Sequence, residues 1–549
     1  MTLRQCLSAI GAGLSLSLAS RAGAVVAAAV LLGGCAHAPR FKDQAPVWRV
    51  DDAHAIAEPE ENEYLKLQYF ADVFALRRLD RALELRDREP AHNTNALDEV
   101  PESTWFQNRI GRGEVSVEQI RRGAGGDPPK PPLTITGAKV GGGNAGFIVT
   151  DAAHKKFLIK FDPITTPEMQ TGGDAIVVRL FWAMGYNVPS DNVFILHRDH
   201  LVIDAKASFK DALGTKHPFT QKELDAALAT SPRLPDGTIR ALSSELLPGK
   251  PKGGWLPEGT RSDDPNDVVP HEHRREVRGL RVFAAWLGHT DMKQDNTLDM
   301  YVEEGGRHYL RHYLIDFGET LSGHAGEKDR DEDGYEYFVD WENQGKAFLA
   351  LGLWKRPWEG RARTPWLSIG SFSAKDYDPL LWREAYPYFP FFEADQADEY
   401  WAAKIMMRFE RRHIEAAVAA GQLSQPEAAR YLVDTLIERQ RKTGMAYLEA
   451  VTPLDELTIR PGALCGVDLG VRFKLATSGE VIRLGPHDEI LDRVPVTADG
   501  GFCMSIPADE GYTVYRLSTF RGRDQRRAMQ VHFKGGPAAR ILGIIRREH

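Results

Sequence analysis

The sequence predicts an α+β protein of two lobes, an antiparallel β lobe and then a helical one, followed by a small all-β domain at the C-terminal end. Three observations predict it. Between about 131 and 250, short apolar runs (LTITGAKV, AGFIVT, KKFLIKF) are cut by the turn sequences GGGN and DAAH. Between 251 and 451 the apolar spacing is mainly that of helices. From 452 to 549 short strands return (ELTIR, VIRL, FCMSI, YTVYRL, MQVHF, RILGII) between Gly, Asp and Pro turns, which reads as a sandwich or barrel.

Length agrees with several packed units, since 549 residues exceed what one ordinary core supports, roughly 250 to 300. A hydrophobic content of 42% with 27% charged residues is that of a folded chain, and a net charge of -8 lacks the basic footprint of a nucleic-acid binder.

The first 34 residues read as a signal. Arg4 and Arg21 precede AGAVVAAAVLLGG, an apolar stretch of about a dozen residues, too short to span a bilayer. Its end, LGGC, resembles the lipobox of bacterial lipoproteins. That resemblance implies lipidation of Cys35, and Ala36 after it implies the outer membrane of the cell envelope. A plain anchor or uncleaved signal is the alternative. With Cys6 removed and Cys35 lipidated, only Cys465 and Cys503 remain, either bonded or as two buried thiols.

Residues 35–130 form a polar extension with one helical stretch, EYLKLQYFADVFALRRLDRALEL, closing in the Pro/Gly cluster GAGGDPPKPP. In the β region, TGGDAIVVRLFWAMG places Ile176, Leu180 and Met184 on one helical face with Gly185 as a stop. NVFIL, HLVI and IRALSSELL continue the sheet, with a helical insertion near KELDAALA. Pro270 can open a helix carrying HEHRREVRGLRVFAAWLG; TLDMYV and HYLIDFG then flank a hairpin turn. Two long helices follow, one from about Asp395 to Ala420 and one opened by Ser424 and Glu427 at capping-box spacing.

Chemistry concentrates after the apolar run VFAAWLG. His289, Asp291, Lys293 and Asn296 stand at H-x-D-x-K-x-x-N, and Asp316-Phe317-Gly318 closes the hairpin. Upstream, Gly141, Gly143 and Gly146 form GxGxxG in a strand-turn-strand, and Lys160 ends FLIKF. In this order the four motifs resemble those of the protein-kinase-like superfamily, over about residues 133 to 445. The flavour is closer to HipA-like and CotH-like atypical kinases than to ordinary protein kinases, and no APE motif follows.

The resemblance implies ATP, with Mg2+ or Mn2+ held by Asn296 and Asp316, hard oxygen ligands suited to such ions. Asp291 would accept the acceptor hydroxyl's proton, Lys293 would face the γ-phosphate, and Lys160 the α- and β-phosphates. The glycines would let backbone N–H groups approach phosphate without a Cβ in the way. Asp174 resembles the acidic partner of the strand lysine, with Glu168 the runner-up. Either is otherwise a helix-start acid complementing the dipole. Backbone groups of Glu245 to Leu247 would border the adenine.

The activity implied is ATP-dependent phosphoryl transfer to a hydroxyl of a protein or small molecule. A tethered pseudokinase acting as a binding or assembly module, and AMP transfer from ATP bound in reverse, are the alternatives. Asp329–Asp340 also matches the EF-hand template at positions 1, 3, 5 and 6, with Asp at 12, which makes calcium a candidate. His271 and His273 alternate along a helix start, which argues against chelation. Arg521, Arg523, Arg526 and Arg527 read as a solvated basic hairpin tip.

Overall fold

Helical periodicity in the N-terminal extension produces α1 (Lys66–Ala71), a π-helical turn (Asp72–Leu76) and α2 (Arg77–Ala82) in direct succession. Tyr69, Val73 and Phe74 turn inward and meet Tyr386 and Tyr337. The computed structural model describes residues 41–83, 88–138, 146–210, 215–323, 330–351, 353–361 and 363–546, and residues 45–549 make one compact unit. Cys35, Gly141, Gly143 and Asp329 lie outside the described residues.

The alternating runs become β1 (Leu133–Ala138), β2 (Gly146–Thr150) and β3 (Lys156–Lys160). Leu133, Ile135, Phe147, Val149, Phe157 and Ile159 point into one core. Next comes α3 (Met169–Met184), then β4 (Asp191–Leu196), β5 (Leu201–Lys210), β6 (Lys216–Pro218) and β7 (Ile239–Glu245). The strand order is β4-β7-β3-β2-β1-β5-β6, with the expected helical insertion at Gln221–Ala229.

One pair corrects the antiparallel expectation: β5 runs parallel to β1, with Leu133 opposite Leu201. No hairpin joins β1 to β5, since β5 is reached from β4 on the other side of the sheet, so no tight turn imposes the antiparallel direction on this pair. Four residues, 197 to 200, connect β4 to β5, between which four strands lie in the sheet order. Such a link spans at most about 19 Å, so the sheet curls to bring its sides together. Helix α3 is buried almost all round instead of on one face, because the sheet covers one side and helices the other.

Beyond β8 (Lys250–Pro251), the predicted helix at Pro270 begins as a 3-10 turn, His271–His273, because Asp267 holds the His271 ring at 2.8 Å. Then α4 (Arg275–Leu287) runs into the hairpin β9 (Thr297–Glu304) and β10 (Arg307–Leu314). Gly279 lets α4 approach its neighbour closely: a Cβ there would stand 3.0 Å from the Trp401 ring. Asp398 fixes the same contact electrostatically, accepting from Arg275 at 3.0 Å and Arg278 at 3.1 Å, all three buried.

After α5 (Trp341–Leu349), the single helix expected over 395–420 is two, α6 (Gln396–Met406) and α7 (Arg411–Ala420). Buried Phe409 sits at the break and the Glu410 N–H donates to the His413 ring. Helix α8 (Pro426–Tyr447) starts on Pro426 without the expected Ser424 cap, since the Ser424 N–H donates to Glu168.

The C-terminal strands are β11 (Leu454–Arg460), β12 (Ala463–Asp468), β13 (Glu480–Leu484), β14 (Ile490–Pro495), β15 (Gly501–Ser505), β16 (Tyr512–Arg521), β17 (Asp524–Gln525), β18 (Met529–Lys534) and β19 (Arg540–Ile545). β11, β12 and β15 make one sheet and the others a second, with Leu464, Met504, Leu517 and Phe533 in a shared core. Cys465 and Cys503 face each other across β12 and β15 and are disulfide-bonded.

Ion pairs fasten these strands to the helices. Lys404 meets Glu99 and Asp455, Arg546 meets Asp98 and Asp455, and Arg521 meets Glu449 and Asp468. The basic hairpin tip is thus not a solvated cluster: Arg521 is spent inside, and Arg526 also reaches Glu449. Asp398→Ala should cost about 3–5 kcal/mol, because it removes the carboxylate that two buried guanidinium groups share; equilibrium denaturant unfolding measures this.

Candidate functional site

Lys160 ends β3, flanked by β2 and β7 in the sheet, and its ammonium reaches out to the hairpin. Its Nζ lies 2.8 Å from Asp316 Oδ1 and 3.4 Å from Asp174 Oδ2. Asp174 lies in the second turn of α3 and is 1% exposed, so it is a lysine partner and not merely a helix-start acid. Glu168 is excluded from that place by its bond to Ser424. Gly146 opens β2 opposite Lys160.

Asp316 follows β10 in the left-handed region, φ 59°. Phe317 beside it is fully buried, stacked on Phe181 of α3 at 5.1 Å and 5.8 Å from the His289 ring. This aromatic wedge ties the hairpin end to α3 and to the loop after α4. Gly288 ends α4 with φ 61°, and a Cβ there would press on Phe372, so the turn into that loop requires glycine.

Within the loop, Asp291 accepts from Lys293 Nζ at 2.6 and 2.9 Å and from Asn296 Nδ2 at 2.7 Å. The Asn296 amide nitrogen is therefore spent on Asp291, and its oxygen is the ligand atom left for a cation. The Ile315 N–H donates to the Asn296 carbonyl at 3.0 Å, so this loop and the Asp316 segment are bonded directly. Asn296 and Asp316 thus stand on two directly bonded segments, and each carries a hard oxygen of the kind that magnesium-type ions take.

The charges are strongly perturbed. Burial alone would lower the Lys160 pKa, but Asp316, Asp174 and Asp191 outweigh it and hold it above the usual lysine range. Burial first, then Asp191, pushes Asp174 well above the carboxylate range. Burial together with Glu319 drives Asp291 up to about 7 against the pull of Lys293. Lys293 is raised by Asp291 despite burial, and its ammonium sits 5.1 Å over the Tyr386 ring. Burial lowers His289 to about 4, which keeps the imidazole neutral, its Nδ1 beside the Glu319 carbonyl.

Sequence reasoning missed Asp191, Glu319 and Tyr386. Glu319 stood in plain sight after Gly318, whereas Asp191 and Tyr386 enter the site only through the fold. The adenine border is less well served: the Glu245 side chain pairs with Lys155 at 2.8 Å, its N–H donates to Ser190, and the Leu246 N–H to Lys156. Leu247 packs against the β9–β10 hairpin core.

Among the described residues, the carboxylates of the acidic loop have partners within the protein. Asp340 caps α5 and pairs with Arg383 at 2.8 Å, Asp331 pairs with Arg363 at 3.0 Å, and Glu336 with Arg356 at 2.6 Å. Arginines have taken these three carboxylates, which leaves the calcium expectation without support among the described residues. His273 does gather with Glu89 and His92, but Arg278 donates to His273 Nδ1 at 2.7 Å. That leaves the proton on Nε2, the wrong tautomer for a ligand facing Glu89.

A cavity of about 480 Å³ adjoins the loop at Gly288 and Thr290, with Ser322, Tyr335, Trp354, Arg361 and Trp382 among its walls.

No protein-family model matches the chain, and no curated protein matches it. Among solved structures it is similar to the Golgi casein kinase. The crystal structure of that protein with Mn/ADP bound aligns over 60% of this chain and 76% of that one, at 11% identity and a TM-score of 0.24. A second crystal structure of the Golgi casein kinase aligns over 72% and 97%, at 10% identity and 0.23.

The Asp291 carboxyl should titrate near 7 by carbon NMR of the wild-type chain. Glu319→Gln should move the midpoint down, since it removes a like charge.

Proposed function

We propose that the chain is a kinase-like phosphotransferase that moves the γ-phosphoryl group of ATP to a hydroxyl of a protein or small molecule. One observation carries this: Lys160, 156 positions from Asp316 in sequence, lies 2.8 Å from it with Asp174 alongside. A cation flanked by carboxylates, next to a second carboxylate-lysine-amide set, is what a triphosphate and its counter-ions require.

In this reading Lys160 faces the α- and β-phosphates, while Asn296 and Asp316 hold Mg2+ or Mn2+, which would neutralise the triphosphate. Asp291 takes the proton as the acceptor oxygen bonds to the γ-phosphorus and the bond to the bridging oxygen breaks, releasing ADP. A base near 7 is suited to that task, because a useful fraction is ionised at neutral pH while its proton affinity stays high. Lys293 both restrains Asp291 and stands ready to meet phosphate charge. The cavity at Thr290 offers room for the acceptor.

The Cys35 lipobox and the Cys465–Cys503 pairing support an exported, envelope-tethered form. A pseudokinase is disfavoured by the gathering of Asp174, Asp191 and Asp316, a repulsive arrangement that pure scaffolding does not need.

ATP with magnesium or manganese should raise the apparent melting temperature of the chain, as any ligand confined to the native state must. Asp316→Ala should abolish that metal-dependent rise. Asp291→Ala should keep it while losing about 10²- to 10⁴-fold in turnover; full transfer activity in this variant would remove Asp291 as the base. With ATP labelled separately at the α- and γ-positions, only γ-label should reach the acceptor. Transfer of α-label instead would establish nucleotidyl transfer.

A further inference from the structure

The cavity of about 480 Å³ beside Gly288 and Thr290 has walls of one recurring kind. Aromatic rings supply its broad surfaces, those of Tyr335, Trp354, Tyr377 and Trp382. Planar polar groups stand between them: the carboxylates of Asp376 and Asp378, the amide of Asn343, and the guanidinium of Arg361, which lies 5.4 Å over the Tyr335 ring. The volume is that of a small-ligand site, for which roughly 300 to 1,000 Å³ is usual.

One donor in the wall is unspent. Trp382 is 5% exposed, yet its Nε1 has no hydrogen-bond partner among the described residues. An indole N–H can only donate, and burying it without an acceptor is costly. Gly334, also in the wall, keeps the way to it open: a Cβ there would stand 3.3 Å from Nε1, and φ 84° favours glycine in any case. A ligand oxygen entering beside Gly334 would take up this N–H.

Charge narrows the choice of ligand. Arg383 pairs with Asp340 at 2.8 Å, Lys346 with Glu342 at 2.6 Å and Asp333 with Arg330 at 3.6 Å. The remaining lining charges balance. Arg361 and Arg439 bond to backbone carbonyls and the Ser322 hydroxyl, and they face the carboxylates of Asp376 and Asp378 across the same walls. A polyanion would need unbalanced cations here, whereas a purely apolar ligand would leave the Trp382 N–H unmet. None of the described strands lines the cavity, so an extended peptide finds no sheet edge to add to. A neutral molecule with hydroxyls at its rim and C–H groups on its faces matches the whole set: hydroxyls for carboxylate, amide and indole N–H, and C–H faces for the rings.

We infer that this cavity is a saccharide site and that the hydroxyl phosphorylated belongs to a neutral sugar. The transfer half of this rests on the phosphotransferase reading above; the binding half does not. Thr290 lines the cavity directly before Asp291, and its carbonyl accepts from the Ala385 N–H at 2.8 Å, which joins the Trp382 segment to the loop. Asp291 then takes the sugar hydroxyl's proton as that oxygen bonds to the γ-phosphorus and ADP leaves.

The test titrates the full chain, without nucleotide, with maltose, cellobiose, N,N′-diacetylchitobiose and a neutral Gly/Ser heptapeptide, followed by tryptophan fluorescence and calorimetry. Saturable binding of at least one disaccharide, and none of the peptide, is the expected result. Affinity should fall about tenfold in Trp382→Phe, which keeps a ring and loses the N–H, and about tenfold in Asp376→Ala. Asp376 is exposed, so that variant keeps its melting temperature and separates lost binding from lost folding.

Binding of none of the three sugars, or binding that both variants leave unchanged, overturns the proposal. So does binding of the peptide in their place, since the acceptor is then a protein. With γ-labelled ATP added, label on the bound sugar upholds both halves, and label on the peptide alone overturns the sugar acceptor while keeping phosphoryl transfer. Sugar bound but unlabelled upholds the saccharide site and counts against the phosphotransferase reading.

Discussion

Everything at the site depends on one ammonium group. Asp174, Asp191 and Asp316 come from α3, from the first residue of β4 and from the end of the hairpin, and three carboxylates so gathered repel unless a cation sits among them. Lys160 supplies it from a strand flanked on both sides, where the backbone cannot drift. Burial and Asp191 hold the Asp174 pKa well above the carboxylate range, against the pull of Lys160. Sheet, helix and hairpin are thereby joined electrostatically at one point, the point to which the proposed function assigns the nucleotide's phosphates.

The second half of the site is positioned by packing. Helix α4 is held against α6 by Gly279 and by the Asp398 pair of arginines, so its C-terminal end is fixed. Gly288 turns the chain there, and Asp291, Lys293 and Asn296 follow within a few residues. Phe317 then locks the neighbouring segment between α3 and His289, and because burial keeps His289 neutral the wedge carries no charge into the core. Polar chemistry is displayed on an apolar frame whose tolerances are those of ring contacts.

Much of this was legible in the chain. Lys160, Asp291, Asn296 and Asp316 stood out because, taken in order, they resemble the motifs of the protein-kinase-like superfamily, and the hairpin and sheet strands followed from alternation. What escaped was set by distant neighbours. Asp191 looks like any strand-start aspartate until the sheet places it against Asp174. The parallel β1–β5 pair joins strands that no hairpin connects, and no pattern within either strand announces it. The acidic run 329–340 satisfies a calcium template locally, yet Arg356, Arg363 and Arg383, 20 to 43 residues from their partners, claim Glu336, Asp331 and Asp340. The break before α7 and the missing Ser424 cap were likewise decided by tertiary bonds.

The seam joining the C-terminal strands to the helices is ionic on both sides. Lys404 and Glu449 belong to the helical part and its exit, Asp455, Asp468, Arg521 and Arg546 to the strands, and Asp98 and Glu99 to the N-terminal extension. Cutting the chain near Thr452 would therefore leave orphaned ions on either fragment instead of two clean hydrophobic surfaces. Such a protein resists dissection and domain shuffling: its lineage can exchange these strands for another module only by rewriting the extension, the helices and the newcomer together.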